Sequence, residues 1–142
     1  MRVMGLDLGT KTIGVAISDE GGLIAQPVST LKRVSIKKDL EALLKMAEDY
    51  AIEGFVVGMP INMDGTEGPR SKAVLKFVEL LKERTRLPVS TWDERLSTVA
   101  VTRVLIEGDL SRSRRKEVVD KMAASYILQG FLDSRKNHHA NS

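Results

Sequence analysis

Three acidic residues lie in or beside apolar segments, where an unpaired carboxylate is unfavourable. Asp7 interrupts an apolar N-terminal run, Glu94 lies just after another apolar segment, and Asp120 borders the apolar stripe of the last predicted helix. Removing water from a carboxylate costs several kcal/mol unless a cation or hydrogen-bond donors replace it. If the three acids meet in the fold, their mutual repulsion favours a bound cation. Oxygen ligands suit Mg²⁺ or Mn²⁺, and such ions can assist the hydrolysis of a phosphodiester.

Each acid also has a purely structural interpretation. Asp7 could cap the turn that follows it, because Asp side chains often bond nearby backbone N–H groups. Glu94 could interact with a helix dipole or pair with Arg95, and Asp120 could pair with a neighbouring lysine, Lys116 or Lys121. The metal-site hypothesis therefore depends on whether the fold brings the three acids together.

Basic residues are frequent near the three acids in the sequence. Positive charge around an acidic centre would attract the phosphates of a nucleic acid, although charge runs are also common on solvated helix faces. Aromatic residues make up only 4% of the chain, so base stacking is not an obvious source of affinity. The candidate nucleic-acid-binding residues are Lys11, Thr12, Arg70, Arg95, Arg112, Arg114, Arg115 and Lys121.

Two N-terminal strands must position the first acid. Apolar runs over 1–8 and 13–17, separated by the polar turn 9–12, predict a β-hairpin. Side chains alternate faces along a strand, so Asp7 shares its face with Gly5. The small neighbour should leave room for a metal ion or a phosphate to approach Asp7.

Hydrophobic periodicity predicts the remaining elements. Three consecutive strands with short turns indicate an antiparallel meander, and Pro27 places the third strand at an edge. Strands and helices then alternate, which requires parallel neighbours, so the prediction is an α/β fold with a five-stranded mixed sheet flanked by about four helices. The predicted segments after the hairpin are strand 23–30, a helix capped by Ser35, strand 54–58, loop 59–70, a helix introduced by Pro69 and Ser71, strand 87–92, helix 97–107, helix 113–133 and a disordered tail 136–142.

Composition limits the class of protein. The chain has 142 residues, 42% hydrophobic and 29% charged, which fits a single folded domain over 1–135. It contains no apolar stretch of membrane-spanning length and no signal-peptide pattern, so we expect a cytoplasmic protein. Cysteine is absent and both histidines lie at 138 and 139, which argues against disulfides and a zinc site. The net charge of +3 permits an acidic partner without requiring one.

Four motifs, in this order, resemble the YqgF family, also called the RuvX-like family of Holliday-junction resolvases. They are GLDLGTKTIGVAISD at 5–19, VVGMPINMDGTEGPR at 56–70, WDERLST at 92–98 and DKMAASYILQGFLD at 120–133. The resemblance implies a ribonuclease H-like fold and a cytoplasmic, divalent-metal nuclease that matures the 5′ end of the small-subunit ribosomal RNA precursor. It also implies that Asp7, Glu94 and Asp120 are the catalytic, metal-binding acids.

Three other functions compete with rRNA processing. The family was first proposed to resolve four-way DNA junctions, for which a symmetric dimer is expected. The segment GLDLGTKTIG also resembles the phosphate-binding turn of the actin and sugar-kinase superfamily, but those proteins need two such domains and 142 residues supply one. The third alternative is a non-catalytic RNA-binding factor of ribosome assembly, in which the acids are structural.

Overall fold

The computed structural model describes residues 1–60, 68–94 and 112–140, including all of their side chains except those of 112–119 and 136–140. Strands and helices alternate along these ranges after an initial three-stranded meander. In chain order they are β1 (Val3–Leu8), β2 (Thr12–Ser18), β3 (Ala25–Lys32), α1 (Ile36–Asp49), β4 (Gly54–Met59), α2 (Pro69–Thr85), β5 (Val89–Asp93) and α3 (Arg112–Ala140).

The five strands form one mixed sheet in the order β3-β2-β1-β4-β5. The β1–β2 and β2–β3 pairs are antiparallel, whereas β1–β4 and β4–β5 are parallel. This confirms the predicted meander with two added parallel strands. Pro27 lies on the edge strand β3, as predicted, and the register shifts beside it between Val15 and Ala16 of β2. An edge position tolerates a residue that cannot donate a backbone hydrogen bond.

The two faces of the sheet carry separate apolar clusters. Met4, Leu6 and Leu8 of β1 pack with α1 and α2, whereas Val3 packs with α3. The predicted alternation along β1 is therefore confirmed, and it places Asp7 on the face that α3 covers.

Local sequence signals explain how the helices begin. Ser35 caps α1, and its hydroxyl accepts a hydrogen bond from the Lys38 N–H at 3.2 Å, as predicted. Pro69 occupies the first turn of α2, where its missing N–H carries no penalty. No helix in the described ranges combines the length and apolar character needed to cross a membrane.

The buried face of α3 differs in part from the prediction. We expected a core stripe of Val119, Met122, Ala123, Tyr126, Ile127, Gly130 and Phe131. Ala123 and Ile127 are buried, but Met122, Tyr126, Gly130 and Phe131 are only partly covered. The side chain of Val119 lies outside the described part of the chain. The row formed by Ala124, Leu128 and Leu132 is buried in their place. Apolar residues occupy more than one side of this helix, so periodicity alone did not select the face that meets the sheet.

The C-terminal end of α3 differs from its predicted boundary. Helix α3 reaches Ala140, past the predicted end at Asp133, so residues 136–140 have helical backbone where we expected a disordered tail. No Gly or Pro follows Gly130 to stop the helix. The predicted helix 97–107 and most of the predicted loop 59–70 lie outside the described residues.

Candidate active site

Asp7 lies near the end of β1 and is buried, with 5% of its surface exposed. Both of its neighbours across the sheet are glycines. Gly14 of β2 is its register partner, and Gly58 of β4 follows Val57, which pairs with Leu6. Since neither neighbour has a Cβ atom, no side chain of the adjacent strands covers the sheet directly beside Asp7.

Helix α3 crosses directly over Gly14 and carries the second acid. A Cβ atom on Gly14 would overlap the main-chain carbonyl of Asp120, so this approach requires glycine. Thr12, at the start of β2, donates its hydroxyl hydrogen to Oδ2 of Asp120. The ion pairs of the described residues do not include Asp120 with Lys121, so that structural alternative is not observed.

Glu94 follows β5, and its side chain lies over the adjacent strand β4. Its Oε1 atom lies 2.9 Å from the position that a Cβ atom on Gly58 would occupy. Ile127 of α3 packs against the same glycine, so Glu94 is on the α3 face of the sheet. The third acid is thus placed on the face that carries Asp7.

The fold brings the three predicted acids to one face, at the carboxyl ends of the parallel strands β1 and β5 and under α3. Open sheets commonly bind ligands at this end. The donors are all carboxylate oxygens, which suits Mg²⁺ or Mn²⁺. Within the described residues, however, no three acidic, histidine or cysteine side chains form a ready-made metal cluster. The residues therefore fit a divalent ion in donor type and placement, without a preassembled coordination sphere.

Thr12 bonds to Asp120, and the other predicted nucleic-acid-binding residues separate into three groups. Lys11 is exposed in the turn next to Asp7, and Lys121 is half-buried beside Asp120. Arg70 lies on the opposite face of the sheet, where its Nη2 atom is 3.4 Å from the carbonyl oxygen of Leu8. The remaining candidates, Arg95 and the side chains of Arg112, Arg114 and Arg115, lie outside the described part of the chain.

One expectation about space near Asp7 was wrong, and the structure shows which glycines matter. The space above Gly5 does not receive a ligand, because the Leu128 Cβ lies 2.6 Å from the position of a Gly5 Cβ. Gly14 and Gly58, on the strands beside Asp7, instead leave the space that the Asp120 main chain and the Glu94 side chain occupy. Their sequence signal is weak, since it consists only of glycine within otherwise apolar strands.

Comparison with known proteins places the chain among nucleases. A family model described as "RuvX: Holliday junction resolvase" matches residues 1–134. A protein of Myxococcus xanthus (strain DK1622) named "Putative pre-16S rRNA nuclease" is 55% identical over 136 residues, covering 96% of this chain and 90% of the relative. A protein of Clostridium novyi (strain NT) with the same name is 52% identical over 134 residues, covering 94% of this chain and 99% of the relative.

A solved structure supports the fold. "T. thermophilus RuvC in complex with Holliday junction substrate" superposes with a TM-score of 0.60 over 96% of both chains, at 14% sequence identity. This similarity confirms the predicted ribonuclease H-like fold. At this level of identity it carries no information on substrate.

Proposed function

The chain belongs to the RuvX Holliday junction resolvase family, which makes it a nuclease that hydrolyses phosphodiester bonds, and we propose that it processes ribosomal precursor RNA with a divalent metal ion. The proposed reaction is endonucleolytic cleavage at the 5′ end of pre-16S rRNA. Relatives that are 55% and 52% identical are named for pre-16S rRNA, which supports this substrate. The setting that we propose is the cytoplasm, with the pre-ribosome as a partner.

The observation that carries this proposal is the convergence of three acids on one sheet face. Asp7, Glu94 and Asp120 are far apart in sequence, yet each lies against Gly14 or Gly58 or pairs with one of them. A structural role for one acid would not require the others to share its face. Their convergence supports a common catalytic role.

The proposed catalytic acids are also the groups that would hold Mg²⁺ or Mn²⁺. When bound, the ion would supply water activation and stabilisation of the leaving oxygen. The chain's own residues would orient this site. Thr12 restrains the Asp120 carboxylate through its hydrogen bond, and exposed Lys11 is placed to contact a substrate phosphate beside Asp7.

Junction resolution is the second candidate function. The family description names Holliday junction resolvases, which favours branched DNA as a substrate. Cleavage of both strands at a junction calls for two active sites related by symmetry. A monomer that cuts single-stranded RNA and leaves junctions intact would exclude this alternative.

A cleavage assay tests the proposal and separates the candidates. Labelled single-stranded RNA, a pre-16S rRNA fragment and a four-way DNA junction are each incubated with Mg²⁺, Mn²⁺ or EDTA. We expect metal-dependent cleavage of the precursor RNA, reduced on the order of 100-fold or more in Asp7→Asn, Glu94→Gln and Asp120→Asn.

The matched control is Asp49→Asn, which removes an exposed carboxylate at the end of α1. It should cleave at the wild-type rate. Wild-type cleavage by Asp7→Asn, or RNA binding without any cleavage, would contradict the nuclease proposal and favour a non-catalytic assembly factor. Preferred cleavage of the junction would favour the resolvase.

A further inference from the structure

A basic cleft lies behind the acids, on the α1 and α2 side of the sheet. Its volume is about 160 Å³, and it opens beside Leu8 and Gly9 at the end of β1. Three cationic side chains, Arg33, Arg70 and Lys76, line it. The same strand end therefore separates an acidic site on one face from a cationic cleft on the other.

Arg33 is held in a fixed position within this basic cleft. Its Nε atom donates to Asp39 at 3.2 Å, and its Nη1 atom donates to the carbonyl of Gly9 at 2.8 Å. The guanidinium carbon lies 5.7 Å from the centre of the Phe77 ring. A guanidinium has five N–H donors, so these two bonds leave others for a ligand. Arg33 can thus present an oriented donor without first losing side-chain entropy.

Arg70 and Lys76 supply positive charge that no acid offsets in the described part of the chain. Neither side chain takes part in an ion pair there, whereas Asp39 is already matched to Arg33. Val74 and Phe77 provide apolar walls, and low-polarity walls strengthen the field of nearby charges.

The start of α2 adds to this positive field. The N-cap residue Gly68 provides no side-chain hydrogen bond, and the first turn contains no acidic residue. The unpaired N–H groups and dipole of a helix N-terminus favour an anion. The three cations of the cleft and the N-terminus of α2 therefore all favour the binding of an anion.

We infer that the basic cleft binds a backbone phosphate of the RNA substrate, close to the bond that is cut. This inference rests on the proposed function. Asp7 and Gly9 are two residues apart, or about 7 Å along a strand. An RNA strand that crosses the 9–12 turn would reach the acids on one face and the cleft on the other. Arg33, Arg70 and Lys76 are then substrate-positioning residues, and Arg33 and Lys76 extend the binding surface beyond the sequence-predicted residues.

Binding of single-stranded RNA by the full chain in EDTA tests this inference without any cleavage. We compare the wild type with the Arg70→Gln/Lys76→Gln double variant, since both side chains are exposed and their loss should not disturb the core. We expect about 10-fold weaker binding near 0.1 M salt. The slope of log Kd against log salt should fall by about 0.7, because the loss of one phosphate contact on a single strand lowers it by about that amount.

The control is Lys82→Gln/Arg84→Gln, which removes the same two charge types from the last turn of the same helix. It should retain the wild-type affinity and salt slope, and thermal unfolding should show that both double variants are folded. A cleft variant that binds like this control would overturn the inference and leave the nuclease proposal intact. A wild type that binds no RNA in EDTA would also overturn the inference, and the metal-dependent cleavage assay would then decide the nuclease proposal separately.

Discussion

The catalytic geometry proposed for this chain depends on two residues that have no side chain. Gly14 and Gly58 flank Asp7 on neighbouring strands, and each lies against the element that carries another acid. Any larger residue at Gly14 would overlap the main chain of Asp120, and any larger residue at Gly58 would overlap the side chain of Glu94. A glycine inside a strand lowers stability, because it loses more conformational freedom on folding than any other residue. Gly14 and Gly58 therefore cost some stability, and they leave room for Asp120 and Glu94 to approach the sheet.

Substitution of Gly14 by Ala tests this role. The added Cβ would overlap the Asp120 carbonyl, which is main chain and cannot rotate away, so α3 must move. We expect a loss of about 1–3 kcal/mol in the free energy of unfolding, measured by urea denaturation, and reduced RNA cleavage. Gly21→Ala is the control, because its nearest neighbour would be Asp19 Oδ2 at 3.5 Å, an ordinary contact. Equal stability and activity of the two variants would contradict the requirement for glycine.

Single residues differ in how far the sequence revealed them. The three acids were visible because a carboxylate in an apolar context is costly at any position along the chain. Thr12 was predicted only as a nucleic-acid-binding residue. Its hydrogen bond to Asp120 and the role of Gly14 were not predictable, since they depend on strand register and on where α3 crosses the sheet. Arg33 was missed for the same reason: its partners Asp39 and Gly9 are brought to it by the turn and the α1 cap.

At the scale of elements, periodicity predicted all five strands and three helices of the described ranges. The ends of the strands shifted by up to two residues, because pairing with neighbours sets them. Strand β3, for example, was predicted over 23–30 and runs from Ala25 to Lys32, since Lys32 pairs with Thr12. The face that α3 buries was only partly predictable, because its choice depends on the glycines beneath the helix.

The β2–β3 turn gives a prediction at this scale. The carboxylate of Asp19 accepts hydrogen bonds from the N–H groups of Ile24 at 3.0 Å and Leu23 at 2.7 Å, and these bonds lower its pKa from the ordinary value of 3.8. A lowered pKa in the folded state means that Asp19 stabilises the fold above pH 3.8. That contribution is lost as the pH falls through the lowered value.

Asp19→Asn removes this pH dependence while keeping an acceptor in the turn. We expect the wild type to lose stability relative to the variant below pH 3.8, measured as the urea midpoint at a series of acidic pH values. An NMR titration should show the Asp19 carboxyl with a pKa below 3.8. A value at or above 3.8 would contradict the proposed turn geometry.

At the scale of the whole molecule, one face of the sheet carries the larger apolar core and the other face carries the candidate active site. The α1 and α2 side holds the larger apolar cluster, which includes fully buried Leu43. The α3 side holds a smaller cluster and all three acids, with fully buried Leu128 packed on Gly5. Since Asp120 and Leu128 lie on the same side of α3, two turns apart, packing of this helix and placement of the acid are coupled.

Two Leu→Ala substitutions, one on each side of the sheet, distinguish an effect on stability from an effect on catalysis. Leu43→Ala and Leu128→Ala each remove a fully buried side chain and should each lower the free energy of unfolding by about 2–5 kcal/mol. Leu128→Ala should also change how α3 packs on Gly5 and so move Asp120 relative to Gly14 and Thr12, whereas Leu43→Ala leaves the packing of α3 untouched. Measured at a low temperature where both variants are folded, RNA cleavage should fall in Leu128→Ala and stay near the wild-type rate in Leu43→Ala. Equal loss of cleavage in both variants would show that activity depends on overall stability and not on how α3 packs on the sheet.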